Sequence, residues 1–275
     1  MAKKKLTTLL CCALACLALV GLAACSQSQG TAAPEAEAST EKLVVGYDNS
    51  YPPYGFIGDD GQPTGLDLDL AKAVCDRLGW EFECQAIDWD AKDALMNQGS
   101  INCIWNGFTM EGREDKYTFS EPYMLNEQVV VVRKDSGIQG LSDLAGKTVA
   151  TQVDSAALEV LEGDKADLSA TFGSLDQLSD YNNAFAQLES GLVDAVACDL
   201  SIAAYQTSAN PDAFATVEEP LSSEHYAVGF KLGDTDRAEK VSQALKELTE
   251  DGTAKEICER YADYGVDYDG NWTLG

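Results

Sequence analysis

The sequence predicts an α/β fold with mainly parallel sheets, and two patterns carry that prediction. Short apolar runs with strand character alternate with stretches of helical period along most of the chain. The run 128–133 also holds four consecutive valines, Val129 to Val132, the pattern of a strand buried on both faces.

Taken in order, 43–47 (Leu-Val-Val-Gly-Tyr) is a buried strand. Phe56-Ile57 and Gly65-Leu66 flank Asp60-Gly61, which reads as a hairpin turn. A helix follows to Leu78, with Leu70, Val74 and Leu78 on one face, Asp67 or Asp69 as its cap and Gly79 as its stop. Strands are expected at 82–87, 101–105, 147–151, 193–198 and 226–232. Helices are expected at 90–97, 155–162, 181–190, 200–208, 236–250 and 253–262. There is no internal repeat. The valine strand has two readings: the centre of a single sheet, or a crossing from one lobe to a second, with the strand near 226 bringing the chain back. Periodicity alone does not separate them.

Ahead of this region, Lys3, Lys4 and Lys5 precede an apolar run from Leu6 to Leu22, the layout of a secretory signal. The run is short for a spanning helix, which needs roughly 20 apolar residues. Leu22-Ala23-Ala24-Cys25 resembles the lipobox of bacterial lipoproteins. That resemblance implies cleavage after residue 24 and a lipid on Cys25; the alternatives are an ordinary signal cleaved nearby or a membrane helix. Residues 25–41, rich in Ser, Ala, Thr and Glu, read as a flexible tether. The expected location is extracytoplasmic and anchored to the cell membrane, on an outer face of Gram-positive type or in a periplasm.

The net charge is −27, and removing residues 1–24 takes away three lysines and no acid, which brings it to −30. Such a surface repels nucleic acid and anionic headgroups, so neither is an expected partner. The part after the tether is long enough for two cored lobes. Beyond Cys25, Cys75, Cys84, Cys103, Cys198 and Cys258 form an odd set with no Cys-x-x-Cys spacing, and His225 is the only histidine. A metal site is not expected, and a Cys75–Cys84 disulfide stays open.

Several segments together resemble the amino-acid-binding, type II periplasmic-type solute-binding proteins of ABC importers. They are Tyr51-Pro52-Pro53-Tyr54-Gly55-Phe56, the run from Gly65 to Lys72, Trp89-Asp90, and Trp105-Asn106-Gly107-Phe108-Thr109 with Arg113 and Phe119-Ser120-Glu121-Pro122-Tyr123. Leu144-Ala145-Gly146-Lys147, Gly191-Leu192-Val193-Asp194-Ala195 and Asp251-Gly252-Thr253 complete the set, in family order from about 43 to 262. The resemblance implies two lobes joined by two hinge crossings, each lobe a mainly parallel sheet flanked by helices. Lobe 1 is expected at 42–129 and 223–275, and lobe 2 at 130–222.

It also implies a monomeric binding protein, not an enzyme and without a cofactor, that takes a free amino acid and hands it to a membrane permease. A zwitterion needs a fork of donors for its carboxylate and an acceptor for its ammonium. Arg113 supplies the first. Thr109 offers a hydroxyl, and Gly107 lets backbone come close. Asp199, at a strand end, is the implied ammonium partner, with a simple N-cap as the alternative. Ser155 either holds an anion at a helix start or merely caps it. Tyr51 and Trp89 resemble aromatic walls for the ligand side chain. Asp48 resembles an acid near the ammonium or a basic side chain, with a turn role as the alternative.

The sequence departs from the family pattern in places. The segment between Thr109 and Arg113 is one residue short, and Val153-Asp154-Ser155 replaces a common Gly-Ser/Thr-Thr. Two rival classes remain: a dehydratase-like enzyme with Asp48, Glu111 or Asp199 as acid or base, and a receptor module for a sensor kinase, against which the end at Gly275 without a transmembrane segment argues. The sequence does not single out the amino acid or the permease.

Overall fold

The computed structural model describes residues 41–275. The signal segment, Cys25 and the tether up to residue 40 lie outside the described residues.

Two mixed sheets flanked by helices form two lobes. In the first, Lys42–Tyr47 pairs in parallel with Glu81–Ala86 on one side and Cys103–Ile104 on the other. Gly229–Lys231 then pairs antiparallel with Cys103–Ile104 and with Tyr117–Phe119. In the second, Thr148–Gln152 pairs in parallel with Ser174–Leu178 and with Ala195–Asp199. Met124–Arg133 lies antiparallel to Ala195–Asp199, Phe214–Thr216 and Ser222–Tyr226. The parallel pairs come from β-helix-β units, and the antiparallel ones from strands that enter or leave a lobe.

Of the two readings of the valine strand, the single sheet is excluded: the strand carries the chain into the second lobe, where it lies inside that sheet. The chain passes between sheets at 120–123 and again at 227–228. These crossings run side by side, with Ser120 N–H on the Val228 carbonyl at 3.0 Å and Tyr123 N–H on the Tyr226 carbonyl at 2.9 Å. The expected lobe limits at 129/130 and 222/223 fall inside Met124–Arg133 and Ser222–Tyr226, whose pairing puts both whole strands in the second sheet. The expected strand at 226–232 is accordingly two strands, split where the chain crosses.

A small third sheet of Ser50–Tyr51, Gly55–Ile57 and Pro63–Thr64 precedes the helix Leu66–Leu78 and contains the expected hairpin. Neither Asp67 nor Asp69 caps that helix: Gly65 holds the N-cap position with no side-chain bond. Asp67 instead turns inward, taking Gly107 N–H at 2.5 Å and the Tyr123 hydroxyl at 2.8 Å. Gly65 has φ +140°, and a Cβ there would lie 2.2 Å from the Tyr54 carbonyl oxygen. Both backbone conformation and space exclude a side chain. Gly65→Ala is expected to cost at least about 2 kcal/mol, seen as a lowered urea midpoint; an unchanged midpoint would count against this account. Cys75, Cys84, Cys103, Cys198 and Cys258 are all unpaired, so the Cys75–Cys84 bridge is not formed. Among the described residues no helix is long and apolar enough to cross a membrane.

Candidate ligand-binding site

Strand ends from both sheets converge on one narrow, partly open recess. Tyr51, Trp89, Gly107, Thr109 and Arg113 line it from the first lobe, and Ser155 and Asp199 from the second. Seven of the eight expected site residues are therefore brought together. Asp48 is not among them. Its Oδ1 takes Ser50 N–H at 2.8 Å, the turn role, and its Oδ2 takes Gln152 Nε2 at 2.7 Å. It stands in a neighbouring recess with Asp88, Asp90 and Asp180, where burial raises its pKa.

Arg113 is 3 % exposed and its guanidinium lies 4.8 Å from the centre of the Phe108 ring. Nε pairs with Glu159 at 3.1 Å, one Nη1 hydrogen goes to the Thr109 carbonyl and one Nη2 hydrogen to the Asp154 carbonyl, both at 3.3 Å. A guanidinium has five N–H donors. Those contacts use three and leave one on each terminal nitrogen, two donors for a carboxylate. Thr109 sits beside Arg113 in the recess, with the shortened 110–112 segment between them.

Asp199 ends its strand at the N-cap position of Leu200–Ala209 but makes no side-chain cap bond. Its Oδ1 instead accepts from Asn126 Nδ2 at 2.9 Å, Gln128 Nε2 at 2.8 Å and the Tyr226 hydroxyl at 2.8 Å. Burial raises its pKa, and the bonds from Tyr51, Tyr226 and Gln128 counter this. Ser155 does cap: its Oγ accepts Leu158 N–H at 3.2 Å, while the residue also lines the recess. Gly107 has φ +57°, and a Cβ there would lie 3.2 Å from the rings of both Tyr51 and Tyr226. The glycine is what lets these rings close on the backbone.

Asn106, Gln152 and Ala156 complete the lining and were not anticipated. Asn106 is 1 % exposed, and neither of its amide atoms has a partner. A buried amide left this way is uncommon unless something else meets it. Its signal in the sequence was a polar residue directly after the apolar run Cys103–Trp105. Glu224 was also missed. It lies behind the recess, 3 % exposed, with Oε1 accepting from the Thr109 hydroxyl, Asn126 and Gln128 at 2.7–2.8 Å.

The lobes also meet directly. Buried Lys92 Nζ lies 2.8 Å from Asp154 Oδ2, and Trp89 Nε1 donates to the Asp154 carbonyl at 3.1 Å. Asp154 adopts φ +58°, the one left-handed non-glycine residue among those described. That turn aims its carbonyl and carboxylate at the other lobe, in the segment where the sequence departs from the family pattern.

Burial pushes the Asp67 carboxyl up to about 7, and that of Glu224 likewise to about 7 with Asp199 adding to it. Ordinary unfolded values are about 4. A carboxyl raised on folding favours the folded state below its unfolded pKa and loses that contribution as pH rises through its folded one. Without ligand, the thermal midpoint is therefore expected to fall between pH 5 and pH 8, and Asp67→Asn to flatten part of the fall. Calorimetry across that range checks it; a midpoint that rises towards pH 8 contradicts it.

Residues 43–264 match the family described as bacterial extracellular solute-binding proteins, family 3. Among curated proteins, the chain is 28% identical over 228 residues to the L-cystine-binding protein TcyJ of Escherichia coli, covering 82% of this chain and 83% of that one. It is 26% identical over 244 residues to the arginine-binding extracellular protein ArtP of Bacillus subtilis, covering 87% and 92%. Among solved structures, an ABC uptake transporter substrate-binding protein from Streptococcus pneumoniae with bound histidine superposes with a TM-score of 0.77 at 33% identity, over 80% of this chain and 92% of that one. An ancestral arginine-binding protein bound to arginine gives 0.73 at 34% identity, over 80% and 97%. The match spans nearly the whole described region, so the chain belongs to the bacterial extracellular solute-binding proteins, family 3.

Proposed function

We propose that this protein captures a free polar or charged amino acid between its lobes and delivers it to an ABC importer, held at the membrane by a lipid on Cys25. The observation that carries the reading is the recess itself: a half-used guanidinium fork faces it from one lobe and a buried carboxylate from the other. Arg113 takes the ligand carboxylate and Asp199 its ammonium, with Thr109 and Ser155 beside them. Tyr51 and Trp89 flank the side chain, and Asn106 meets its polar groups. Asp48 acts indirectly, by holding Gln152. The relatives whose names specify cystine, arginine and histidine support the ligand class.

Bonds to a ligand held by both lobes form fully only on closure. Charged hydrogen bonds contribute about 1.5–3 kcal/mol each. Driving a two-state balance from 1:99 to 99:1 takes about 5.5 kcal/mol of differential affinity, which two or three such bonds supply. The Lys92–Asp154 and Arg113–Glu159 pairs add less, because Asp154 and Glu159 are 54% and 40% exposed. The lipid keeps the loaded protein near its permease and raises the effective concentration there.

Thermal-shift screening of the mature protein against the common amino acids and cystine tests the reading. A ligand that binds only the folded state raises the midpoint. One amino acid or a small group is expected to do so, with isothermal titration confirming one site per chain. No shift with any of them would defeat the proposal.

A further inference from the structure

Behind the recess, two carboxylates face each other without a cation. Asn126 and Gln128 stand two apart on one face of Met124–Arg133, opposite Glu224 and Ser222 in the ladder. Each amide NH2 donates one hydrogen to Asp199 Oδ1 and one to Glu224 Oε1, at 2.7–2.9 Å. All four amide hydrogens are used, and the two acids are clamped as a pair. The Thr109 hydroxyl donates to Glu224 at 2.7 Å, and the Tyr226 hydroxyl to Asp199 at 2.8 Å.

The neighbouring charges are committed elsewhere. Arg113 spends three of its five N–H donors on Glu159 and two carbonyls and bonds neither acid, and Lys92 serves Asp154. His225, next to Glu224 on the strand, points the other way and pairs with Glu111 at 2.6 Å. The remaining titratable neighbours, Tyr51, Tyr54, Tyr181, Tyr226 and the Cys198 thiol, are held neutral by burial. Two ionised carboxylates this close, buried and without a cation, repel strongly.

We infer that the Asp199–Glu224 pair carries one proton, held on Glu224, and that an α-ammonium arriving at Asp199 expels that proton to solvent, so that amino-acid capture releases one proton. The charge balance of the pair is kept: one proton leaves as one positive charge enters. Glu224 then acts as a positioning residue. Once ionised, it holds the Thr109 hydroxyl hydrogen more strongly, which keeps the oxygen lone pairs of Thr109 available to the ammonium. Burial and Asp199 put the Glu224 carboxyl at about 7, so the exchange falls in the neutral range.

The inference rests on the amino-acid reading above, and the test separates the two. Isothermal titration of the mature protein, with whichever amino acid the screen finds, is run at pH 6 in buffers of different ionisation enthalpy. About one proton should be released per ligand, and Kd should fall about tenfold per pH unit below pH 7 and level off above it. Glu224→Gln should bind with a flat profile and no proton release. Binding by the wild type without proton release overturns this inference alone, as does undiminished release from Glu224→Gln. If that variant fails to bind, infrared difference spectra of the wild type decide: loss of a protonated-carboxyl band on ligand addition supports the exchange, and its absence overturns it. If no amino acid binds at all, the underlying reading falls and takes this one with it.

Discussion

Arg113→Ala is expected to abolish amino-acid binding while leaving the protein folded. The guanidinium is almost fully buried, yet it contributes little to either core. It rests on the Phe108 ring, and its partners are one half-exposed carboxylate and two backbone carbonyls. Truncation removes the two N–H groups left for a ligand carboxylate, which together contribute about 3–6 kcal/mol, or about 10²–10⁴ in Kd. It also frees Glu159 and the Asp154 carbonyl, which weakens contact between the lobes. The expected result is no measurable heat of binding at millimolar ligand, with a circular-dichroism spectrum like that of the wild type. Arg113→Lys separates charge from shape: an ammonium keeps the sign but has no planar fork, so binding intermediate between wild type and alanine is expected. Binding by Arg113→Ala within tenfold of wild type would remove Arg113 from its assigned role.

How much of this was legible in the sequence depended on which physical signal each residue carried. The strands 42–47, 148–152 and 195–199 and the helices 66–78, 156–162 and 181–190 announce themselves by period, because their apolar faces pack on the lobe cores. The strands Tyr117–Phe119, Ser174–Leu178 and Phe214–Thr216 were missed; two are three residues long, and the third alternates weakly. Arg113, Thr109 and Asp199 were legible through their place in ordered motifs and at strand ends. Glu224 was not, because a glutamate in Ser-Ser-Glu-His-Tyr reads as solvated unless its partner strand is known. A cue did exist. Asn126 and Gln128 are an i, i+2 polar pair leading into four valines, and polar residues on one face of a buried strand need polar partners across the ladder. Lys92 and Asp154 were invisible for another reason. Their contact joins lobes, and no local pattern reports which loops meet once the lobes approach. Asp48 was placed by resemblance, and a two-residue turn bond together with Gln152 draws it out of the recess.

Asp199→Asn is expected to move stability and binding in opposite directions. As aspartate, the residue is a buried anion beside Glu224, stabilised only by neutral donors. As asparagine, its Oδ1 can keep the bonds from Asn126, Gln128 and Tyr226, while its NH2 group can donate to the Tyr51 hydroxyl oxygen. The repulsion disappears and only the Tyr51 hydroxyl hydrogen loses its acceptor, so the unliganded protein should melt higher at pH 7.5, by about 2–4 °C for each kcal/mol recovered. The ammonium, however, loses its counter-charge and meets an amide that offers hydrogens of its own. Binding should weaken at least about 100-fold, and the ligand-induced rise in midpoint should vanish. Asp199→Ala provides the contrast. It removes the same charge but strands the Asn126, Gln128 and Tyr226 donors, so it should melt below the wild type. Together the two variants separate the charge of Asp199 from its hydrogen bonding. A binding site that holds an unpaired anion for its guest gives up stability whenever the guest is away, so the asparagine protein should be the more stable and the less useful one. Differential scanning calorimetry of the three proteins with and without ligand reads both effects. An asparagine variant that melts below wild type at pH 7.5, or that binds as wild type does, would show that Asp199 is a structural acid rather than the partner of the ammonium.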